Sequence, residues 1–238
     1  IPFPEFFSRL GELPAKDASI VVLCASGHRG GMVMMAMQLM GYENVRNLGG
    51  GLNAWKAAKL PVAGWVDWPG VWGEYLAGMP DNYHVINAQG LNEALADNPP
   101  FLVDVRESAD YEAGYIAGAI NLPIRDLLKN LDKLPGKDEA IVIYCASGHR
   151  GGLAMAALQL LGYTNVRNLG GGLGAWQKAE LPVETAAAPE LTAGTAPEVD
   201  ATRLRDLDAF LSALPDGFFT VKPADVNVEL GASPAPYI

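Results

Sequence analysis

Between residues 83 and 183, short apolar runs alternate with segments whose apolar positions recur at helical spacing. Residues 101–105 (Phe-Leu-Val-Asp-Val) and 140–144 (Ala-Ile-Val-Ile-Tyr) are nearly continuous apolar runs bounded by turn signals, which suits strands buried on both faces. Asn87 is placed to cap a helix over 88–97, and Asn98-Pro99-Pro100 stops it. A short helix over 108–113, a small strand at 119–121 and a helix over 124–131 follow. After the second buried run come an apolar helix over 151–161, a strand at 165–168 and a helix over 173–179. This alternation predicts an α/β domain with a mainly parallel central sheet flanked by helices. Cys145 falls at the carboxyl end of the second buried strand, the end at which such sheets gather ligands.

The same pattern occurs twice. Cys24-Ala25-Ser26-Gly27-His28-Arg29-Gly30-Gly31 returns unchanged as Cys145-Ala146-Ser147-Gly148-His149-Arg150-Gly151-Gly152, and the alignment runs without a gap from Ile1/Leu122 to Val62/Val183. Gly-Tyr-x-Asn-Val-Arg-Asn-Leu-Gly-Gly-Gly-Leu-x-Ala-Trp stands at 41–55 and again at 162–176. Identity over so long a stretch marks a duplicated domain rather than a short solenoid repeat. A weaker match pairs 219–238 with 83–102, through Val85/Val221, Ala88/Ala224, Glu93/Glu229 and Pro100/Pro236. The expected organisation is therefore the C-terminal part of one copy at 1–63, an aromatic linker at 64–82 and a complete copy at 83–183. An Ala/Pro-rich linker with a helix at 184–217 and the opening of a further copy at 218–238 complete it. The chain reads as a window of a longer tandem array.

Both linkers carry elements of their own. Trp65, Trp68, Trp72 and Tyr75 stand among Gly and Pro, and aromatics of that size are expected to pack on a neighbouring domain. Leu204, Leu207, Phe210, Leu211 and Leu214 have helical spacing, stopped by Pro215-Asp216-Gly217. Met32, Met34, Met35, Met37 and Met40 interchange with aliphatics at matched positions of the second copy, which reads as core filling rather than a metal or partner groove.

Composition removes several function classes. No apolar run approaches the roughly 18 residues of a membrane span. A net charge of −10 argues against a nucleic-acid partner, and an anionic substrate must be held by local donors. Two cysteines make no disulfide scaffold, and three histidines leave little for a metal site. The Ala/Pro/Thr-rich spacer and acidic balance fit an exported bacterial protein, with a cytoplasmic one as the alternative.

The chemistry concentrates in the repeated loop. It joins a strand to the start of a helix, so successive N–H groups can converge into an anion cradle, with the helix N-terminus and the cations beside it adding positive potential. Small residues at 146–148 let the backbone curl around the sulfur, and Gly148 admits a positive φ. These features favour a thiolate nucleophile at Cys145 and Cys24, and fast alkylation of both by iodoacetamide near neutral pH.

Leu102-Val-Asp-Val-Arg-Glu107, Gly114-Tyr-Ile-Ala-Gly-Ala-Ile-Asn-Leu-Pro123, the Cys-x4-Arg loop and Asn168-Leu-Gly-Gly-Gly-Leu-Gly-Ala-Trp176, in that order, resemble the rhodanese-like sulfurtransferase family. The resemblance implies a ping-pong sulfurtransferase. Cys145 would take sulfane sulfur from a small anionic donor, thiosulfate or a persulfide, and pass it to cyanide, a thiol or a protein acceptor. No metal or organic cofactor is implied. Substrate contacts would come from Ala146, Ser147, Gly148, His149, Arg150 and Gly151, and in the first copy from Ala25, Ser26, Gly27, His28, Arg29 and Gly30 around Cys24. Asp104 and Arg106 would brace the loop from beneath. The sequence departs from the family at Tyr115, where His is common, and at Ala25 and Ala146, where many members carry a polar or basic side chain.

Three rival readings stand beside this one. Gly170-x-Gly172-x-x-Ala175 mimics a dinucleotide fingerprint but lacks the acidic residue about 20 positions on. A Cys-x5-Arg phosphatase has a loop one residue longer. A non-catalytic array of interaction domains remains the alternative outside enzymology.

Overall fold

The structure is a computed structural model that describes residues 1–60, 62, 64, 66–185 and 194–230. It divides into two compact units, Ile1–Trp65 and Val66–Ile238. Trp65, most of the first half of the 184–200 spacer and the last eight positions of the 219–238 match lie outside the described residues.

The first unit opens with a 3₁₀ helix, Phe3–Glu12, followed by β1 (Ile20–Val22), α1 (His28–Leu39), β2 (Val45–Asn47) and α2 (Gly51–Ala57). β1 and β2 pair in parallel, with Ile20 opposite Val45. Phe6, Met37 and Val45 are fully buried, and Met34 and Met40 pack against them. Core filling therefore holds for these three methionines. It fails for Met32 and Met35, which are 49% and 58% exposed. Leu153, the counterpart of Met32, packs against a cluster built with helices of the second unit that have no counterpart among the described residues of 1–65.

The second unit runs α3 (Trp68–Ala77), β3 (Val85–Ile86), α4 (Ala88–Asp97), β4 (Phe101–Asp104), α5 (Ser108–Glu112), β5 (Ile120–Asn121), a 3₁₀ helix (Leu127–Lys133), β6 (Ile141–Tyr144), α6 (His149–Leu160), β7 (Val166–Leu169), α7 (Gly172–Lys178), α8 (Ala201–Ser212) and α9 (Pro223–Glu229). Its five strands are parallel in the order β3-β7-β6-β4-β5. The chain leaves β4 toward one edge and β6 toward the other, so the loops after these two strands part at a topological switch point.

Alternation along the strands builds two cores. Val103, Ile141, Ile143 and Cys145 point into one, which α6, the 3₁₀ helix and α8 cover. Leu102, Val142 and Tyr144 point into the other, beside Leu91, Leu173 and Trp176. Cys145 thus continues the odd-numbered face of β6, toward α6 and α8.

Two expectations are modified, and the two helices within the linkers dock on the core. The helix expected at 124–131 is the 3₁₀ segment Leu127–Lys133, which kinks at Asn130; the Asn130 side chain donates to the Asp126 carbonyl at 2.7 Å in place of a backbone N–H. Within the expected aromatic linker, α3 packs Trp68, Val71 and Tyr75 on the first core, with Trp68 Nε1–H donating to Asp206 and Tyr75 O–H to Gln159. Helix α8, capped by the Asp200 carboxylate, buries Leu207 and Leu211 in the same core. Val221, aligned with Val85 of β3, lies in no strand and is exposed, because β3 exists only by pairing with β7.

Candidate active site

β6 delivers Cys145 at its carboxyl end, and four residues later α6 begins at His149. Gly148 makes that turn possible. It caps α6 at φ +97°, a conformation an L side chain resists, and its N–H donates to Cys145 Sγ at 3.1 Å. The first unit repeats the arrangement, with Gly27 at φ +89° and its N–H 3.1 Å from Cys24 Sγ. Around Cys24 the Gly30 N–H is the strongest influence on the thiol. Desolvation opposes it, and the N–H groups of Ser26, Gly27 and Arg29 reinforce it, so the thiol is held down at about 7.

The loop is clamped from outside by the segment after β7. The N–H groups of Leu173 and Gly174 donate to the carbonyls of Cys145 and Ala146 at 2.8 and 3.0 Å, and a Cβ at Gly172 would run into the Cys145 carbonyl. Asn168 Nδ2 donates to the Gly148 carbonyl at 3.0 Å, and Asn47 does the same for Gly27 at 2.8 Å. The glycine triplet that imitates a dinucleotide fingerprint therefore serves the cysteine loop. Asn47 and Asn168 are loop supports that the sequence reasoning missed. Their signal was identity in both copies two positions before the glycine triplet.

Every loop residue singled out from the sequence lies in one turn in its own unit. Ala146, Ser147 and His149 are exposed, Gly148 and Arg150 half-buried, and Gly151 buried against Asn168. In the first unit Ala25, Ser26, His28 and Arg29 are exposed and Gly27 and Gly30 buried. The two thiols differ. Cys145 is 1% exposed, whereas Cys24 is half-buried beside a groove of about 460 Å³ lined by Phe3, Phe6, Val22, Arg29 and Met37. In the second unit Val103, Val105 and Ile120 are buried in the same core cluster as Cys145. Ready access for iodoacetamide at both cysteines is thus corrected: the geometry offers it at Cys24 alone.

Asp104 and Arg106 form a buried pair. The Arg106 guanidinium meets both Asp104 carboxylate oxygens at 2.6 to 3.0 Å and donates to the carbonyls of Asp110 and Gly114. Desolvation weakens the Arg106 charge, but the hydrogen bonds and attraction of Asp104 outweigh it and raise its pKa. The bonds of this pair reach the 110–114 turn, one strand over from Cys145. Tyr115 at the end of that turn is buried and stacks on Tyr111 with ring centroids 4.3 Å apart. Among the described residues no three His, Cys, Asp or Glu side chains converge on a metal position, and no helix is long and apolar enough to cross a membrane.

The profile of the Rhodanese-like domain matches residues 1–58 and 87–179, more than half of the chain. The chain belongs to the rhodanese-like domain family. A sulfurtransferase of Allochromatium vinosum is 40% identical over 99 residues, spanning 41% of this chain and 92% of that protein. The thiosulfate sulfurtransferase PspE of Escherichia coli is 34% identical over 70 residues, 29% of this chain and 67% of the relative. A rhodanese-related protein of known structure from Thermoplasma volcanium is 32% identical, covering 43% of this chain and 98% of its own, with a TM-score of 0.40. Sulfur transfer is thus the activity named among this rhodanese-like chain's relatives.

Proposed function

We propose that this chain is a sulfurtransferase that carries sulfane sulfur as a cysteine persulfide on Cys145, and on Cys24 by the same chemistry. The observation that carries the reading is the loop itself: a nucleophilic sulfur ends a buried central strand, and the backbone N–H of a left-handed glycine points at it. The cysteine thiolate attacks the outer sulfur of thiosulfate or a related persulfide. A sulfur–sulfur bond forms to the cysteine as the donor's own sulfur–sulfur bond breaks, and sulfite from thiosulfate, or the parent thiolate from a persulfide, leaves with the electron pair. An acceptor nucleophile, cyanide or a thiolate, then attacks the outer persulfide sulfur. It departs as thiocyanate or a new persulfide and restores the cysteine thiolate. The N–H groups of the cradle meet the negative charge at each stage, a role that fixed dipoles fill without reorganising. Against a net charge of −10, Arg150 and the start of α6 supply the local attraction for the dianionic donor.

Intact mass of the full chain after thiosulfate, and again after cyanide, tests the reading. The expected result is a gain of sulfur atoms that cyanide removes, one carried by each cysteine and lost site by site in Cys24→Ala and Cys145→Ala. No gain from thiosulfate, polysulfide or a small persulfide would overturn persulfide chemistry and leave the interaction array as the better account.

A further inference from the structure

We propose that the turn at residues 215–219 is a gate over Cys145, with Phe218 as its latch, so that the thiol of the second unit is closed until this turn lifts. Its consequence for catalysis rests on the sulfur-transfer reading, but the closure itself concerns only access to a thiol.

The odd-numbered face of β6 places Cys145 in the core cluster that α8 helps to build, and Phe218, in the chain leaving α8, packs against the same cluster. Phe218 contacts two side chains of the loop. The Arg150 guanidinium stands 4.7 Å from the Phe218 ring centroid, and His149 Nε2–H donates to the Phe218 carbonyl at 2.9 Å. The ring covers one face of the Arg150 guanidinium, beside the loop that carries Cys145. Arg125 pins the turn from the other side. It donates to the Leu214 carbonyl at 3.0 Å and to Asp216 at 3.2 Å, and its guanidinium sits 4.9 Å from the same ring. Among the described residues none of these contacts has an equivalent at Cys24, which is half-buried.

The turn is also held away from its backbone preference. Phe218 and Phe219 both take left-handed φ, +50° and +56°, which non-glycine residues resist. Residues 80–84 have the same form: Tyr83 and His84 stand at +51° and +55°, and the Tyr83 N–H donates to Pro80 as the Phe218 N–H does to Pro215. There the turn hands a helix on to β3. At 215–219 it hands α8 on to the segment that carries α9, so displacement of that segment pulls directly on Phe218.

Timed alkylation of the full chain by iodoacetamide near neutral pH, with each cysteine followed by peptide mass, tests the gate. In the wild-type chain Cys24 is expected to react at least about ten-fold faster than Cys145. Phe218→Ala is expected to speed Cys145 about ten-fold, and Arg125→Ala by a smaller factor, with Cys24 unchanged. Equal rates at the two cysteines of the wild-type chain would overturn the gate. So would an unchanged Cys145 rate in both variants, because its burial would then belong to the packing of Val103, Val105 and Ile120. A gain accompanied by faster hydrogen exchange across Ile141–Tyr144 would also count against it, as loosening of the fold. Failure of sulfur loading with these rates as expected would strike the transfer reading alone.

Discussion

A thiol becomes a nucleophile at neutral pH only if its surroundings favour the anion, and at Cys24 the surroundings are backbone. Gly30 N–H dominates, burial opposes, and three further N–H groups hold the thiol at about 7, below the ordinary range of a free cysteine. Lowering the pKa enlarges the thiolate fraction at any pH between the two values, so reactivity is gained from the acid side. The rate of Cys24 alkylation should rise with pH to a midpoint near 7; a midpoint above about 8.5 would mean that the cradle does not act on the sulfur. The residues of this cradle were legible from the repeated motif, because a loop that bonds its own side chain is a local object. Phe218 was not legible. It stands far along the chain from Cys145 and carries no motif, and only its cation contacts to Arg125 and Arg150 give it a role. Tyr115, which departs from the usual histidine, is a core side chain stacked on Tyr111.

The elements followed the hydrophobic pattern wherever a pattern had one solution. β4 and β6 are apolar on both faces and lie at the centre of the sheet, and α4 starts at Asn87, whose side chain accepts from the Gly90 N–H at 2.7 Å. The pattern misplaced the 124–131 helix, because Leu127, Leu128 and Leu131 are buried equally well on a 3₁₀ turn. The two-residue strand β3 was too short to show a period. At the exit of β4, Asp104 and Arg106 tie the strand to the 110–114 turn, both almost fully buried. Arg106→Ala leaves the Asp104 carboxylate buried without its partner and should lower stability by about 3–5 kcal/mol in urea melts. A loss below about 1 kcal/mol would show that water reaches the carboxylate and that the pair does not brace the turn.

At the scale of the molecule, the two units have cores of very different size. Phe6, Met37 and Val45 are the fully buried residues of the first hydrophobic cluster, while two large clusters line both faces of the five-stranded sheet in the second unit. Stability tracks buried apolar area, so amides of Ile20–Val22 should exchange hydrogen far faster than those of Ile141–Tyr144, although the two strands match in sequence position. Equal protection of β1 and β6 would show that the first unit draws its stability from more than its own core. This contrast separates what each level decides. The sequence by itself determined the duplication, the parallel α/β pattern and the cysteine loop, because periodicity, turn residues and a loop that bonds its own sulfur all act over a few positions. Tertiary structure alone decided that one loop is open and its near-identical twin closed. Burial depends on what packs against a loop, and neither the 215–219 turn nor the Val103, Val105 and Ile120 packing can be read from the loop's own residues.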